Sequence, residues 1–152
     1  EAISSYRKAG EVALLQPVSS QRYGAALINA KEFELARQFL ITSLDRYPEN
    51  IELHANLGLT YFSLSQNSAA IDAYKRVLNI DEGRKDARCN LVLAFMADAR
   101  YAEAISCLEH SAKEDLDQYE LMLLARCQFN QGDFESTLRI LQNYEVTQPL
   151  TV

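Results

Sequence analysis

Two histidines and three cysteines are the residues of this chain best suited to metal binding or nucleophilic chemistry, and their spacing supports neither. His54 and His110 are far apart, and neither has a His, Cys or carboxylate at a ligand spacing such as HExxH. Each therefore reads as a structural or solvated side chain. Cys89, Cys107 and Cys127 are odd in number and widely spaced, unlike a zinc site or a dense disulfide framework, so reduced thiols are expected. There is no nucleophile-elbow pattern, no phosphate-cradling Gly-rich loop, and no Cys–His pair that a helical register would bring together. Glu32 with Glu34, and Glu114 with Asp115 and Asp117, could supply paired carboxylates. Helix starts and helix surfaces favour such residues, and nothing here points to the desolvation that tunes a general acid. The sequence thus predicts no catalytic residue, no metal and no cofactor.

Charge narrows the partners. A formal net charge of -6 and a pI near 4.9 disfavour binding to nucleic acid, which requires clustered Lys and Arg. Arg84, Lys85 and Arg88 come closest to a cluster, but Asp81, Glu82 and Asp86 surround them, which predicts a solvated helix start. No apolar run approaches the roughly 18 residues that span a bilayer, and no secretory signal opens the chain, so direct membrane insertion is not expected. Reduced thiols favour the cytoplasm. The first residue is not Met, so the expectation covers these residues and not a full gene product.

The elements that would carry any function are helices. Of 152 residues 48% are apolar, only five are Gly and three Pro, and the helix-favouring Leu, Ala, Glu, Arg and Gln are all common. Ala2, Ile3, Tyr6, Ala9, Val12 and Ala13 form an amphipathic stripe over 1–15, weakened by Gly10 and closed by Pro17. The same periodicity predicts helices over 17–29 and from Phe33 through Leu44, with Pro48 closing the pair. Further helices are predicted over 51–64, 68–79, 86–97, 101–113, 118–130 and 134–143. Turns fall at Ser65, Gln66 and Asn67, at Asp81, Glu82 and Gly83, and at Gln131, Gly132 and Asp133. The tail 144–152, with β-branched residues and Pro149, is expected to lack helix.

The helix pairs repeat. Gly24 and Gly58 are 34 residues apart, and Ala36, Ala70 and Ala104 follow at steps of 34. Small side chains at these points let two helices approach, while Leu40, Tyr61, Tyr74, Phe95 and Leu108 fill the space around them. In this the chain resembles the tetratricopeptide repeat family, whose pattern is a large residue, Leu-Gly, Tyr, Ala, an aromatic and a closing Pro. Residues 51–84 match best, with Asn56, Leu57, Gly58, Tyr61, Ala70, Ile71, Tyr74 and Leu78, although His54 and Glu82 replace the usual aromatic and proline. Residues 17–50 offer Gly24, Phe33, Ala36, Leu40 and Pro48. Residues 85–117 offer Asn90, Leu91, Phe95, Tyr101, Ala104, Ile105 and Leu108, with Val92 in the glycine place. Residues 118–152 offer Leu121, Leu124, Ala125, Gly132, Phe134 and Pro149, one residue early, with Gln128 and Thr137 for the usual Tyr and Ala. Residues 1–15 fit the second helix of a preceding, truncated unit.

The resemblance implies an all-α fold, a right-handed α-solenoid superhelix of antiparallel helix pairs, as one array over 1–152. It implies a non-catalytic scaffold for protein–protein interaction, in which the first helix of each repeat lines a concave groove. The groove positions are then Gln21, Arg22, Ala25, Ile28 and Asn29; Glu52, Ala55, Asn56, Leu59, Phe62 and Ser63; Asp86, Cys89, Asn90, Leu93 and Met96; and Tyr119, Met122, Arg126, Phe129 and Asn130. Ile28, Leu59, Phe62, Leu93, Met96, Met122 and Phe129 make it apolar, either to hold a peptide or amphipathic helix of a partner protein, or because some of them pack on neighbouring helices. Arg126, Asn56, Asn90 and Glu52 would orient the ligand. Family members that grip chaperone tails use Lys, Asn and Arg where this chain has Gln21, Ala25, Asp86 and Asn90, so that ligand is not expected. An array also needs its end covered, which predicts a longer array or self-association through exposed terminal repeats. Alternatives are a self-assembly module, or the substrate-docking arm of an enzyme whose catalytic domain lies outside this chain.

Overall fold

The computed structural model describes residues 2–110 and 116–147, with side chains over 8–110 and 116–142. Among these residues there are nine helices and no strand: α1 (Ala2–Ala13), α2 (Pro17–Asn29), α3 (Phe33–Arg46), α4 (Ile51–Ser63), α5 (Asn67–Ile80), α6 (Lys85–Ala97), α7 (Tyr101–His110), α8 (Gln118–Gln131) and α9 (Phe134–Thr147). They divide into two compact units, residues 1–87 and 88–152.

In the first unit, α2 pairs with α3 and α4 with α5, and α4 also packs against the preceding pair. Pro17 opens α2 at its first position, where a missing amide proton costs nothing. Asn50 caps α4, its side chain accepting from the Leu53 amide at 3.1 Å. Leu27, Ala36, Leu40, Leu53 and Leu57 form a buried cluster, with Tyr23, Phe39 and Tyr61 packed on its flanks. Each fully buried leucine contributes roughly 1.5–3 kcal/mol. Close approach within the pairs follows from the glycines: a Cβ on Gly24 would sit 2.6 Å from Leu40, and one on Gly58 would sit 2.7 Å from the Tyr74 ring. Gly10 belongs to the same scheme, since a Cβ there would lie 3.3 Å from Tyr23 and 3.4 Å from Phe39.

In the second unit, α7 packs on α8 and α8 pairs with α9. Ala104 is fully buried, as Ala36 and Ala70 are in the first unit. Val92 stands in the glycine place and is itself fully buried. Thr137 stands in the alanine place and remains buried because its hydroxyl donates to the Asp133 carbonyl at 2.8 Å. Asp117 and Glu120 close a reciprocal capping box at the start of α8.

The turn inside each helix pair is the same device. Lys31, Ser65, Ala99 and Gly132 all have positive φ (60°, 57°, 55° and 89°). In each case its amide donates three residues back, and the next amide donates five residues back: Glu32 to Leu27, Gln66 to Tyr61, Arg100 to Phe95 and Asp133 to Gln128. This left-handed closure caps the first helix and reverses the chain, and only the last turn uses glycine for it.

Several boundaries differ from the sequence reading. Helix α9 runs to Thr147, into the tail expected to be irregular, because Tyr144, Glu145, Val146 and Thr147 are only mildly unfavourable to helix, whereas Pro149 restricts the residue before it. Asn67 opens α5 and is not part of the turn. Helix α1 ends at Ala13, short of Leu15. The expected continuation of α7 over Ser111, Ala112 and Lys113, and the carboxylates Glu114 and Asp115, lie outside the described residues, as do Glu1, the side chains of Ala2, Ile3 and Tyr6, and Pro149.

Candidate functional site

The inner-face positions read from the sequence lie on α2 and α4 in the first unit. Register alone puts Gln21, Arg22, Ala25, Ile28 and Asn29 on one side of α2, and Glu52, Ala55, Asn56, Leu59, Phe62 and Ser63 on one side of α4. Arg22, Asn29, Glu52, Leu59 and Ser63 are exposed; Gln21, Ala25, Ile28, Ala55, Asn56 and Phe62 are half-buried. Leu59 stands out at 40% exposure, while its neighbours Leu57 and Gly58 are buried.

The polar members of this face are bound to one another. Gln21 Nε2 donates to Asn50 Oδ1 at 3.0 Å, and Asn56 Nδ2 donates to the Gln21 carbonyl at 3.3 Å, tying α4 to α2. Glu52 accepts from Arg84 at 2.7 Å, and the same guanidinium grips Asp86 through Nε and Nη2 at 2.9 and 2.8 Å. These hydrogen bonds from Arg84 hold the Asp86 carboxyl below the usual carboxylate range and raise the guanidinium's own pKa. Asn56 and Glu52, expected to orient a ligand, thus each have a partner inside the protein.

In the second unit, Asn90, Leu93 and Met96 of α6 are half-buried, and Cys89 is buried. On α8 the inner-face stripe is open: Tyr119, Met122, Arg126, Phe129 and Asn130 are all exposed, Met122 at 59% and Phe129 at 57%. The Phe129 ring meets Phe134 of α9 edge-on, with centroids 5.5 Å apart. At the other end of α8, Gln118, Leu121, Met122, Ile140 and Leu141 line a cavity of about 130 Å³, room for one apolar side chain. The sequence reading had Met122 as a groove residue and Leu121 as a residue of the repeat pattern, and singled out neither Ile140 nor Leu141; their shared cavity is a product of tertiary pairing.

Arg88 overturns the expected solvated helix start. It pairs with Glu120, whose side chain is 2% exposed, and Glu120 occupies the place that Leu53 and Ala87 hold in earlier repeats. The remaining groups with chemical potential are quiet. His54 Nε2 lies 2.7 Å from the Pro48 carbonyl. Burial pushes the Cys127 thiol up to about 11, against the weaker pull of Arg126. Burial, with a smaller push from Asp86, also raises the Tyr74 phenol. Among the described residues no group of three His, Cys, Asp or Glu could hold a metal ion, and no helix is long and apolar enough to cross a membrane.

The tetratricopeptide repeat family profile matches residues 51–84. Among curated protein sequences none matches significantly. Solved structures similar to the chain include "MamA MSR-1", at 18% identity and a TM-score of 0.74, covering 93% of this chain and 86% of that one. PilF of Pseudomonas aeruginosa aligns at 21% identity and a TM-score of 0.69, covering 96% of this chain and 68% of that one. The first TPR of Spaghetti (RPAP3), solved bound to the HSP90 peptide SRMEEVD, aligns at 16% identity and a TM-score of 0.70, covering 78% and 94%. Residues 51–84 are a tetratricopeptide repeat, and the chain has the all-α fold of tetratricopeptide-repeat proteins.

Proposed function

We propose that this chain is a non-catalytic protein–protein interaction scaffold, which holds a peptide or helical segment of another protein against the inner faces of its first helices. The observation that carries this reading is the exposure of large apolar side chains at inner-face register: Leu59 on α4, and Tyr119, Met122 and Phe129 on α8. A single exposed leucine is ordinary; three large apolar side chains at steps of three and seven on one face of α8 make a surface suited to a partner. That Spaghetti's first TPR was solved with a peptide supports a similar use of the fold. The acidic chaperone tail itself is not the expected ligand, because Gln21, Ala25, Asp86 and Asn90 occupy the places of the basic and amide groups that grip it.

Affinity capture from a lysate with the intact chain, alongside Leu59→Glu and Phe129→Glu, tests the reading. Both variants are expected to lose the captured partner while helical content and melting stay near those of the parent chain. Unchanged capture by both would reject the inner faces as the binding surface, and unfolding of either would assign that side chain to packing.

A further inference from the structure

We propose that α9 is a self-association helix: two copies of the chain pair antiparallel along its exposed face, Phe134 of each docking at the cavity beside Leu141 of the other. Phe134, Leu138 and Leu141 recur at steps of four and three, the spacing of a seam between two packed helices. All three are open, Phe134 and Leu138 at 58% exposure and Leu141 at 47%.

That face is of the kind that receives a helix. Counted from the positive-φ turn residue of each pair, Leu141 takes the place of Leu40, Tyr74 and Leu108, all of them buried. Leu40 packs in one cluster with Leu53 and Leu57 of α4, the helix that follows its own pair. Among the described residues no helix follows α9. Leu141 borders instead the cavity of about 130 Å³ that Leu121, Met122 and Ile140 also line, a hole of the size of one large apolar side chain.

Charge selects a second copy as the helix received, because the face complements itself. Glu135 and Arg139 lie one turn apart on the same flank of the stripe, both exposed, and neither has an ion-pair partner among the described residues. A partner helix of uniform sign would meet one attractive and one repulsive charge there. In a two-fold antiparallel pair the same flanks face each other with their order reversed, so Glu135 comes opposite the second copy's Arg139, and Arg139 opposite its Glu135. The same reversal sets Phe134 across from Leu141 and its cavity on the second copy, and brings the two Leu138 side chains together at the centre.

Sedimentation velocity of the intact chain, from micromolar to near-millimolar concentration, tests the proposal. A reversible equilibrium between monomer and dimer is expected, and a weak one, because each copy contributes little more than one helix to the contact. Leu138→Glu should abolish the dimer, while Ile41→Glu, at an exposed apolar side chain of α3, leaves it unchanged. Glu135→Arg and Arg139→Glu should each weaken self-association about tenfold, and an equimolar mixture of the two should return to within about threefold of the parent, since each variant then supplies the charges the other lacks. Circular dichroism of every variant checks its helix content; should Leu138→Glu lose helix, the mixing experiment decides alone. A parent chain that stays monomeric throughout, which would leave the face to a helix of another protein or to a further segment of a longer chain, would overturn the proposal. So would dimers that survive a folded Leu138→Glu, or a mixture that associates no more tightly than its separate, folded components.

Discussion

Arg88 donates from both Nε and Nη2 to a single oxygen of Glu120, at 3.0 and 2.9 Å, while the other oxygen of that carboxylate accepts the Asp117 amide at 3.2 Å. One buried carboxylate thereby closes the cap of α8 and ties α8 to α6. Burying a charge is costly unless its partner stays in place, and removing one member of such a pair typically costs about 3–5 kcal/mol. Glu120→Ala is expected to destabilise the second unit by that order, read as loss of hydrogen-exchange protection in α8. The double replacement Arg88→Met with Glu120→Leu should cost much less, because Leu53 shows that an apolar side chain suits the equivalent place. A double variant as damaged as the single one would show that the charges themselves are required.

Gly58 is fixed by Tyr74. A methyl group at residue 58 would lie 2.7–2.9 Å from three atoms of that buried ring, so Gly58→Ala forces the helices of the pair apart. The expected loss is about 1–3 kcal/mol in urea unfolding. Adding Tyr74→Leu should not compound it, since the two changes share one contact.

The left-handed turn residues offer the opposite effect. Lys31, Ser65 and Ala99 adopt a backbone conformation that costs an L-residue roughly 1–2 kcal/mol, partly offset in glycine by its greater loss of freedom on folding. Ser65→Gly and Ala99→Gly are each expected to raise stability by about 0.5–1 kcal/mol, and Gly132→Ala to lower it by about 1 kcal/mol. Thermal melts of the three single variants would check the signs.

Thiol reactivity should follow burial. The thiol of Cys127 is raised to about 11 in the fold against 9.0 for an unperturbed group, because burial disfavours the thiolate. Cys107, only half-buried, is expected to react first with a thiol reagent at mildly alkaline pH, with Cys89 and Cys127 following on denaturation. The linked stability runs the same way. Keeping Cys127 protonated is free below pH 9, becomes unfavourable relative to the unfolded chain above it, and so stability is lost as pH rises from about 9 to 11. A Cys127→Ala variant should show a shallower decline in that range.

How far the sequence reached is clearest in α4 and α5. The small residues Gly58 and Ala70, the aromatic Tyr74 and the apolar steps around them are local and periodic, and they specify helices, turns and packing faces by themselves. Helix boundaries were legible within a few residues because caps and prolines act on their immediate neighbours. α9 was the exception: weak propensities over residues 144–147 do not by themselves end a helix.

What only the tertiary structure decided is the fate of the polar groups. Asn56 looked free to meet a ligand and instead bonds the Gln21 carbonyl; Arg88 looked solvated and instead pairs with Glu120. In both cases the partner lies one repeat away along the chain and becomes a neighbour only when first helices stack. Helical periodicity reports which side of a helix a residue is on, and that is a property of the segment. Whether its hydrogen-bonding groups remain available depends on atoms about a repeat distant in sequence, and only the folded chain brings them together.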